Sequence, residues 1–343
     1  MKNFELKLYF KTVILMLCSI IGVGFVSGAE INQFFTKFEN FSYIGVIVFG
    51  VVLFLLLNKI LKQYTYIQNC VKMTFLNKNI SNNTILVKSR IKTILVNFNI
   101  LMISSAMFSG MFLLLKQLFN NNYYFIYLFV CLIIFFILCN GINGLQKFDY
   151  LVIVFLIFLI ANFVINLSTS SRVSDIKVDD LIVDKKSILS SIVFAGIYVF
   201  MNIVQLQSIL NELNLKLSKK GRLILSILFS IILSLILFCL ILFLNKNSYL
   251  KNYDMPFLNY FKSQSKFFQR VFSIGLLFTV LSSLISALFG VKKIMSKIFK
   301  LGYTQAFYAM LLSILFSFIG FSNFVSIVYP LIGIINFIIF VFL

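Results

Sequence analysis

Apolar residues fill ten long stretches of this chain, and short polar or basic connections separate them. The stretches are continuously apolar instead of alternating, and each is close to the roughly 20 residues that a helix needs to cross a bilayer. Helices satisfy their own backbone hydrogen bonds in lipid, so they are the expected spanning element. The stretches cover residues 13–35, 43–60, 93–115, 123–138, 151–167, 188–210, 223–244, 271–290, 303–319 and 325–343. The pattern predicts an all-α polytopic membrane protein with about ten transmembrane helices.

The composition agrees with this pattern. Of the 343 residues, 61% are hydrophobic and 12% are charged, whereas a soluble domain is roughly 45–50% apolar and 25% charged. Ten spans with short connections use up the whole length. We therefore expect one integral membrane domain over residues 1–343, without an appended soluble domain, and the lipid bilayer as its main partner.

The net charge of +20 comes from 30 Lys and Arg against 10 Asp and Glu. No basic domain interleaved with aromatic residues accompanies it, so nucleic-acid binding is not expected. With a cytoplasmic N-terminus, the inside connections hold 19 basic residues and the outside ones hold 11. Four aspartates, 175, 179, 180 and 184, fall in one outside connection. The sequence predicts an inner-membrane protein whose two termini are both cytoplasmic.

Residues that carry enzyme chemistry are scarce. Histidine is absent, and none of the five cysteines forms a Cys-x-x-Cys pair, so neither a disulfide framework nor a transition-metal site is indicated. A membrane-embedded enzyme would need a set of acid, base and nucleophile groups inside the membrane. We therefore expect no catalytic residues and no cofactor, and an enzyme is the less favoured alternative.

The first stretch contains Gly22, Gly24, Ser27 and Gly28, with Glu30 one turn further on. Each glycine weakens a helix by roughly 1 kcal/mol relative to alanine, and this group lies at the middle of the span. A helix broken there exposes backbone groups that could line a binding cavity. Alternatively, small residues four apart let two helices pack closely. Glu30 favours the cavity, because a carboxylate at this depth needs a polar partner.

The two halves of the chain match in length. Residues 11–166 and 188–343 each hold five stretches, and an odd number of spans inverts the second half relative to the first. In such inverted repeats the first helix of each half is interrupted. The sixth stretch carries Gly196 and Tyr198 near its centre, followed by Asn202, Gln205 and Gln207, so we predict a second broken helix there.

The run Gly22-Val23-Gly24-Phe25-Val26-Ser27-Gly28-Ala29-Glu30-Ile31, followed by Phe34-Phe35, resembles the first-span signature of the YkvI-like membrane proteins. The sixth-stretch Tyr198 and Asn202 fit the tyrosine and asparagine of that family more loosely. The resemblance implies membership of the amino acid, polyamine and organocation superfamily, with its LeuT-like inverted-repeat fold of five plus five helices. It implies a mode of transport better than it implies a substrate.

These observations predict a cation-coupled secondary transporter for a small amino-acid-like solute. Its expected substrate-binding residues are Gly22, Gly24, Ser27, Gly28, Tyr198 and Asn202. Glu30 is expected to act as a gating or charge partner, unless it is an ordinary carboxylate near the end of a span. A spore-germinant-receptor permease-like subunit, which senses a solute without moving it, is the alternative with the same sequence features.

A sodium ion is the predicted coupling ion. Thr279, Ser282 and Ser283 lie near the middle of the eighth stretch, and hard oxygen ligands suit an alkali cation. Proton-coupled relatives can place a lysine at the equivalent position, but residues 151–167 of the fifth stretch contain no basic residue. The alternative is that these hydroxyls donate to carbonyls of their own helix, as Ser and Thr often do.

The connection 245–270 is long and carries Pro256 followed by several aromatic residues. Such a segment either folds over an extracellular vestibule or forms a disordered loop.

Overall fold

The structure is a computed structural model. It describes residues 2–74, 83–119, 122–140, 145–169, 185–210, 217–296 and 299–342. These residues form helices joined by short turns and contain no β-strand. The predicted all-α class is confirmed for the part of the chain that the structure describes.

Fourteen helices are numbered here in chain order within the described ranges. They are α1 (Lys2–Ile20), α2 (Val23–Ser27), α3 (Ala29–Phe34), α4 (Ser42–Thr74), α5 (Asn83–Phe119), α6 (Tyr123–Asn140), α7 (Leu145–Thr169), α8 (Lys185–Leu210), α9 (Lys219–Lys246), α10 (Pro256–Gln264), α11 (Lys266–Met295), α12 (Gly302–Ser317), α13 (Phe321–Asn323) and α14 (Tyr329–Phe342). Short 3₁₀ turns at Thr36–Phe41 and Ser248–Asn252 join some of them, and a π-helical turn, Phe324–Val328, joins α13 to α14.

Seven helical stretches in the described ranges are long and apolar enough to cross a membrane. Two shorter apolar helices, Tyr9–Ile20 and Tyr123–Cys139, accompany them, and α12 has 16 residues. Large apolar side chains also face outwards, among them Phe125, 79% exposed, and Ile47, 68% exposed. These features indicate a multi-pass protein embedded in a membrane. The full count of ten and the orientation stay predictions, and the four aspartates of the predicted outside connection lie at 170–184, outside the described residues.

The centre of the molecule is formed by α5 and α11. Of their spanning stretches, 83% and 78% respectively are buried inside the protein, against 28% for α7. Helix α11 packs against α1, α5, α7, α8 and α12. Side chains of α11 therefore contact helices from both halves of the chain.

The first span is interrupted, as predicted. Helix α1 ends at Ile20, α2 is five residues long, and α3 starts at Ala29 after Gly28, whose backbone is left-handed. Several glycines within one span weaken the helix enough for tertiary contacts to decide its course.

The sixth span is not interrupted, so the prediction of a second broken helix is wrong. Helix α8 runs without a break from Lys185 to Leu210, through Gly196, Tyr198 and Asn202. Gly196 is a single glycine in an apolar run, and a Cβ atom built on it would meet nothing within 4 Å. A lone glycine costs only roughly 1 kcal/mol, which the other residues of a long helix can absorb. The symmetry of stretch lengths therefore does not extend to this helix, and the inverted repeat over 11–166 and 188–343 stays a prediction.

The connection with Pro256 folds into a short helix instead of a disordered loop. Pro256 begins α10, a position where its missing N–H costs nothing. The buried rings of Phe257 and Phe261 join an aromatic cluster: the Phe257 ring centroid is 4.7 Å from that of Phe163, and the Phe261 ring stacks on Phe272 at 4.5 Å. Helix α10 also packs against α2, so this segment covers one side of the break.

Candidate functional site

The break in the first span is stabilised by its own turn and by α8. At the end of α1, the Ile21 N–H donates to Leu17 O at 2.9 Å, and the Gly22 N–H donates to Ile20 O at 2.8 Å. The Gln205 side chain of α8 donates from Nε2 to Ser19 O. Helix ends leave carbonyls without partners, and a buried one needs a donor. A polar side chain near the end of α8 therefore satisfies the broken end of the first span.

Gly28 joins α2 to α3 in a conformation that favours glycine. Its φ of 85° lies in the left-handed region, and its N–H donates to Phe25 O at 3.2 Å. A Cβ at this position would lie 3.1 Å from the ring of Phe257 in α10. Both the backbone conformation and the close approach of α10 select glycine here.

Glu30 is buried beside the break. Its side chain folds back onto Gly24, where a Cβ would overlap Oε1 of Glu30. The carboxylate is 2% exposed, and its Oε2 accepts a hydrogen bond of 2.8 Å from the Tyr198 hydroxyl of α8. Gly24 therefore provides the space that lets a carboxylate from α3 lie against α2. The close approach at Gly24 is therefore to a carboxylate side chain and not to a second helix.

Aromatic rings surround the ring of Tyr198. The ring centroids of Phe34, Phe35 and Phe49 lie 4.9, 5.4 and 5.6 Å from that of Tyr198. All four rings are fully buried. Such a wall excludes water, and charge interactions inside it are correspondingly stronger than at a surface.

Two buried polar atoms near the Glu30–Tyr198 pair have no hydrogen-bond partner among the described residues. One is Asn202 Oδ1, whose Nδ2 donates to Tyr198 O at 2.9 Å. The other is the hydroxyl of Tyr329, which is close enough to interact electrostatically with Glu30. Buried polar atoms are nearly always paired in native proteins, and these two are exceptions among the described residues.

Tyr329 was missed from the sequence, although a signal was present. The π-helical turn Phe324–Val328 precedes it, and Pro330 follows it. A proline inside a helix cannot donate to the carbonyl four residues earlier, here Ser326 O, which accepts from Gln33 Nε2 at 3.4 Å. The proline within an apolar span could have indicated a local irregularity at this depth. Widened turns of this kind are frequent at functional sites.

The predicted substrate residues fall into two groups. Gly24 and Tyr198 contact Glu30, and Asn202 lies one turn further along α8, where its side chain donates to Tyr198 O. Three others have different neighbours: a Cβ on Gly22 would meet Met107 and Ser283, Gly28 faces Phe257, and the Ser27 hydroxyl donates to Gly24 O at 3.3 Å.

The predicted sodium ligands also separate. Thr279 donates to Leu276 O at 2.7 Å and Ser283 donates to Thr279 O at 3.0 Å, both within α11. Ser282 instead donates at 2.5 Å to Oδ1 of Asp149, a buried carboxylate near the start of α7. The sequence pattern did not single out Asp149, because it precedes the apolar run that begins at Leu151. No group of three or more His, Cys, Asp or Glu residues that could hold a metal occurs in the described part of the chain.

A polar cavity of about 220 Å³ lies beside α3. It is lined by α3 (Ala29, Asn32 and Gln33), by residues 251–254, and by Phe321, Ser322, Val325 and Ser326. Lys251 anchors this wall by donating from Nζ to Thr36 O at 3.1 Å and to Asn245 Oδ1 at 3.0 Å. Partial burial lowers the pKa of Lys251, and the Glu39 charge acts in the opposite direction. Since Ala29 precedes Glu30, the cavity reaches the helix that carries the buried carboxylate.

No protein-family model, no curated protein and no solved structure matches this chain. The resemblance to the YkvI-like membrane proteins therefore stays a prediction from the first-span motif.

Proposed function

We propose that this protein is a secondary active transporter that moves a small amino-acid-like solute with a protonated amine, coupled to a cation, by alternating access. The observation that carries the proposal is Glu30: a carboxylate buried at a helix break, paired with one tyrosine hydroxyl and near the unpartnered hydroxyl of Tyr329. The predicted YkvI-like relationship and LeuT-like fold are compatible with it.

The charge of Glu30 supports an amine as part of the solute. An ionised carboxylate inside a membrane is costly unless a positive charge or several donors balance it. Among the described residues, the Tyr198 hydroxyl is the hydrogen-bond donor to the Glu30 carboxylate, and no lysine or arginine pairs with it. The ammonium group of a solute would supply the missing charge and its hydrogen bonds.

The polar atoms around Glu30 support a small solute with further hydrogen-bonding groups. Asn202 Oδ1 can accept an N–H, and the Tyr329 hydroxyl can donate or accept. The rings of Phe34, Phe35 and Phe49 limit the space beside them. An amino acid or a short amine fits these requirements, whereas a large apolar molecule would leave both polar atoms unpaired.

The polar cavity beside α3 supports a route to this site. With the predicted cytoplasmic N-terminus, α1 leads from the cytoplasm to the break and α3 lies on the outer side. The cavity of about 220 Å³ would then be the outer vestibule. A solute would enter it and meet Glu30 once α3 or the tenth span moves.

A binding and exchange assay tests the proposal. We expect a set of amino acids and amines to include one that raises the melting temperature of the purified protein, and proteoliposomes to exchange labelled for unlabelled copies of that solute. Glu30→Gln removes the charge but keeps the size of the side chain, so binding and exchange should fall at least tenfold. Glu39→Gln is the matched control, because Glu39 is exposed, and it should behave as the unmodified protein.

Three outcomes separate the alternatives. Binding that depends on Glu30, with no exchange across the bilayer, would replace the transporter by a sensor of the germinant-receptor kind. Unchanged binding in Glu30→Gln would mean that Glu30 has only a structural role. Absence of stabilisation by any amine or amino acid would reject the proposed solute class.

A further inference from the structure

A second buried carboxylate, Asp149, lies on the other side of the break. It belongs to α7, is 1% exposed, and packs between α1 and α11. Its Oδ1 accepts the 2.5 Å hydrogen bond from Ser282, and its backbone carbonyl accepts a 3.5 Å hydrogen bond from the Cys18 thiol of α1. Ser282 is near the middle of α11 and Asp149 is near the start of α7, so this hydrogen bond joins the middle of one helix to the first turns of another.

The second oxygen of this carboxylate is unused. Asp149 Oδ2 is buried and has no hydrogen-bond partner among the residues described. The groups that face Asp149 are the Cys18 thiol, which is titratable, from α1 and the neutral Ser282 hydroxyl from α11. Helix α9 also packs along α7, but none of its described residues brings a charge to Asp149. An ionised carboxylate in this position would be a buried charge without a counter-charge.

We propose that Asp149 is the proton-binding site of the transport cycle. Its part in transport rests on the proposed function, whereas the binding of a proton at Asp149 does not. In the closed state Oδ2 carries a proton and Asp149 is a neutral carboxylic acid. The proton comes from water on the side to which the site is open. When the site opens to the other side, the O–H bond breaks, the proton passes to water there, and the carboxylate remains until the next proton binds.

The groups around Asp149 favour the binding of a proton over that of a sodium ion. A hard cation needs several oxygen ligands at once. Beside the carboxylate, the described side-chain oxygen in contact with Asp149 is Ser282 Oγ. Thr279 and Ser283 donate to carbonyls of α11, and the soft sulfur of Met107 lies 3.5 Å from Ser283 Oγ. A single unpaired carboxylate oxygen is enough for one proton.

Infrared difference spectroscopy tests the proton site without any solute. The purified protein should show the carbonyl band of a protonated carboxylic acid that titrates with pH and disappears in Asp149→Asn. Glu30→Gln should keep that band, which separates Asp149 from the other buried acid. Ser282→Ala, which removes a hydrogen bond to Oδ1, should move the midpoint of the titration by roughly one pH unit. It serves as a second test if Asp149→Asn does not fold.

Transport in proteoliposomes tests whether Asp149 binds the coupling proton. A pH gradient in sodium-free buffer should drive accumulation of the solute, and Asp149→Asn should lower that accumulation at least tenfold while reducing solute exchange at equal concentrations far less. Asp180→Asn, the same change outside the described residues, is the control and should accumulate normally. An Asp149 band together with no transport of any solute would reject the proposed function and leave the proton site intact. Absence of the band, or accumulation driven by a sodium gradient and indifferent to pH, would overturn the proton site.

Discussion

The first and sixth spans look equivalent in the sequence and differ in the structure. The first is divided at Ile20 and Gly28 into the 19-residue helix α1 and two short helices, α2 and α3, and its carboxylate, Glu30, bends back over the gap. The sixth, α8, is one continuous helix of 26 residues. It contributes side chains to the gap: Tyr198 donates to Glu30, and Gln205 donates to Ser19 O.

The difference shows how a membrane protein can build a polar site from one broken helix. A break exposes backbone groups that lipid cannot satisfy. A continuous neighbour can satisfy them with amide and hydroxyl side chains, without any break of its own. The broken helix then provides space and charge, and the intact helix provides positions fixed by its own hydrogen bonds. Three pairs of substitutions test this division of roles.

The largest effect is expected for Gly24→Leu, compared with Gly196→Leu. At Gly24 even a Cβ overlaps the Glu30 carboxylate, so a leucine must displace it and abolish measurable solute binding, a loss of at least roughly 100-fold. At Gly196 a Cβ meets nothing within 4 Å, and binding should be unchanged. Equilibrium binding with size-exclusion profiles of both variants checks this. Equal losses in the two would mean that the break has no special role.

An intermediate effect is expected for Gln205→Leu. The change leaves Ser19 O buried without its donor from α8, which should lower the free energy of unfolding by roughly 1–3 kcal/mol. Asn202→Leu is the comparison, because the Asn202 amide donates to a carbonyl of its own helix. We expect it to weaken solute binding more than it weakens the fold. Thermal unfolding and binding of both variants measure the two effects, and a Gln205→Leu protein as stable as the original would contradict the role of α8.

The smallest effect is expected for alanine at Gly28 and at Gly196. The left-handed backbone of Gly28, and the Phe257 ring 3.1 Å from its would-be Cβ, should make Gly28→Ala cost roughly 1–2 kcal/mol. Gly196→Ala lies inside a regular helix and should stabilise the protein by up to roughly 1 kcal/mol. Opposite signs in the two melting temperatures would support the comparison, and equal signs would contradict it.

The sequence was most informative where local chemistry decides the structure. Three glycines and a serine in one span are a local signal, and the break occurs among them. Tyr198 and Asn202 were singled out as polar residues at membrane depth, which have few other uses there, and Tyr198 does contact the first span through Glu30. All-α class and membrane embedding followed from long apolar runs.

The features that the sequence did not reveal depend on tertiary contacts. Asp149 stands in the sequence as a polar residue at the edge of an apolar run, and only the packing of α7 against α1 and α11 buries it. Tyr329 is an ordinary aromatic residue until the π-helical turn and the neighbouring α3 give it a place near Glu30. The prediction of a break in α8 was wrong for a different reason. It rested on the equal lengths of the two halves of the chain, and the single glycine of that span is too weak a signal for a break.

The packing of the short helix α10 would affect the speed of the proposed transport cycle. Its Phe257 lies against Gly28, and its rings stack within a cluster that also holds Phe163, Phe243 and Phe272. Any movement that uncovers Gly28 from this side must first pull these rings apart, and the attraction between them creates an activation barrier. In the proposed transport cycle, such a barrier would set how long the buried carboxylates stay shielded from water. Trimming Phe257 would then shorten the lifetime of the closed state more than it changes the affinity of the site.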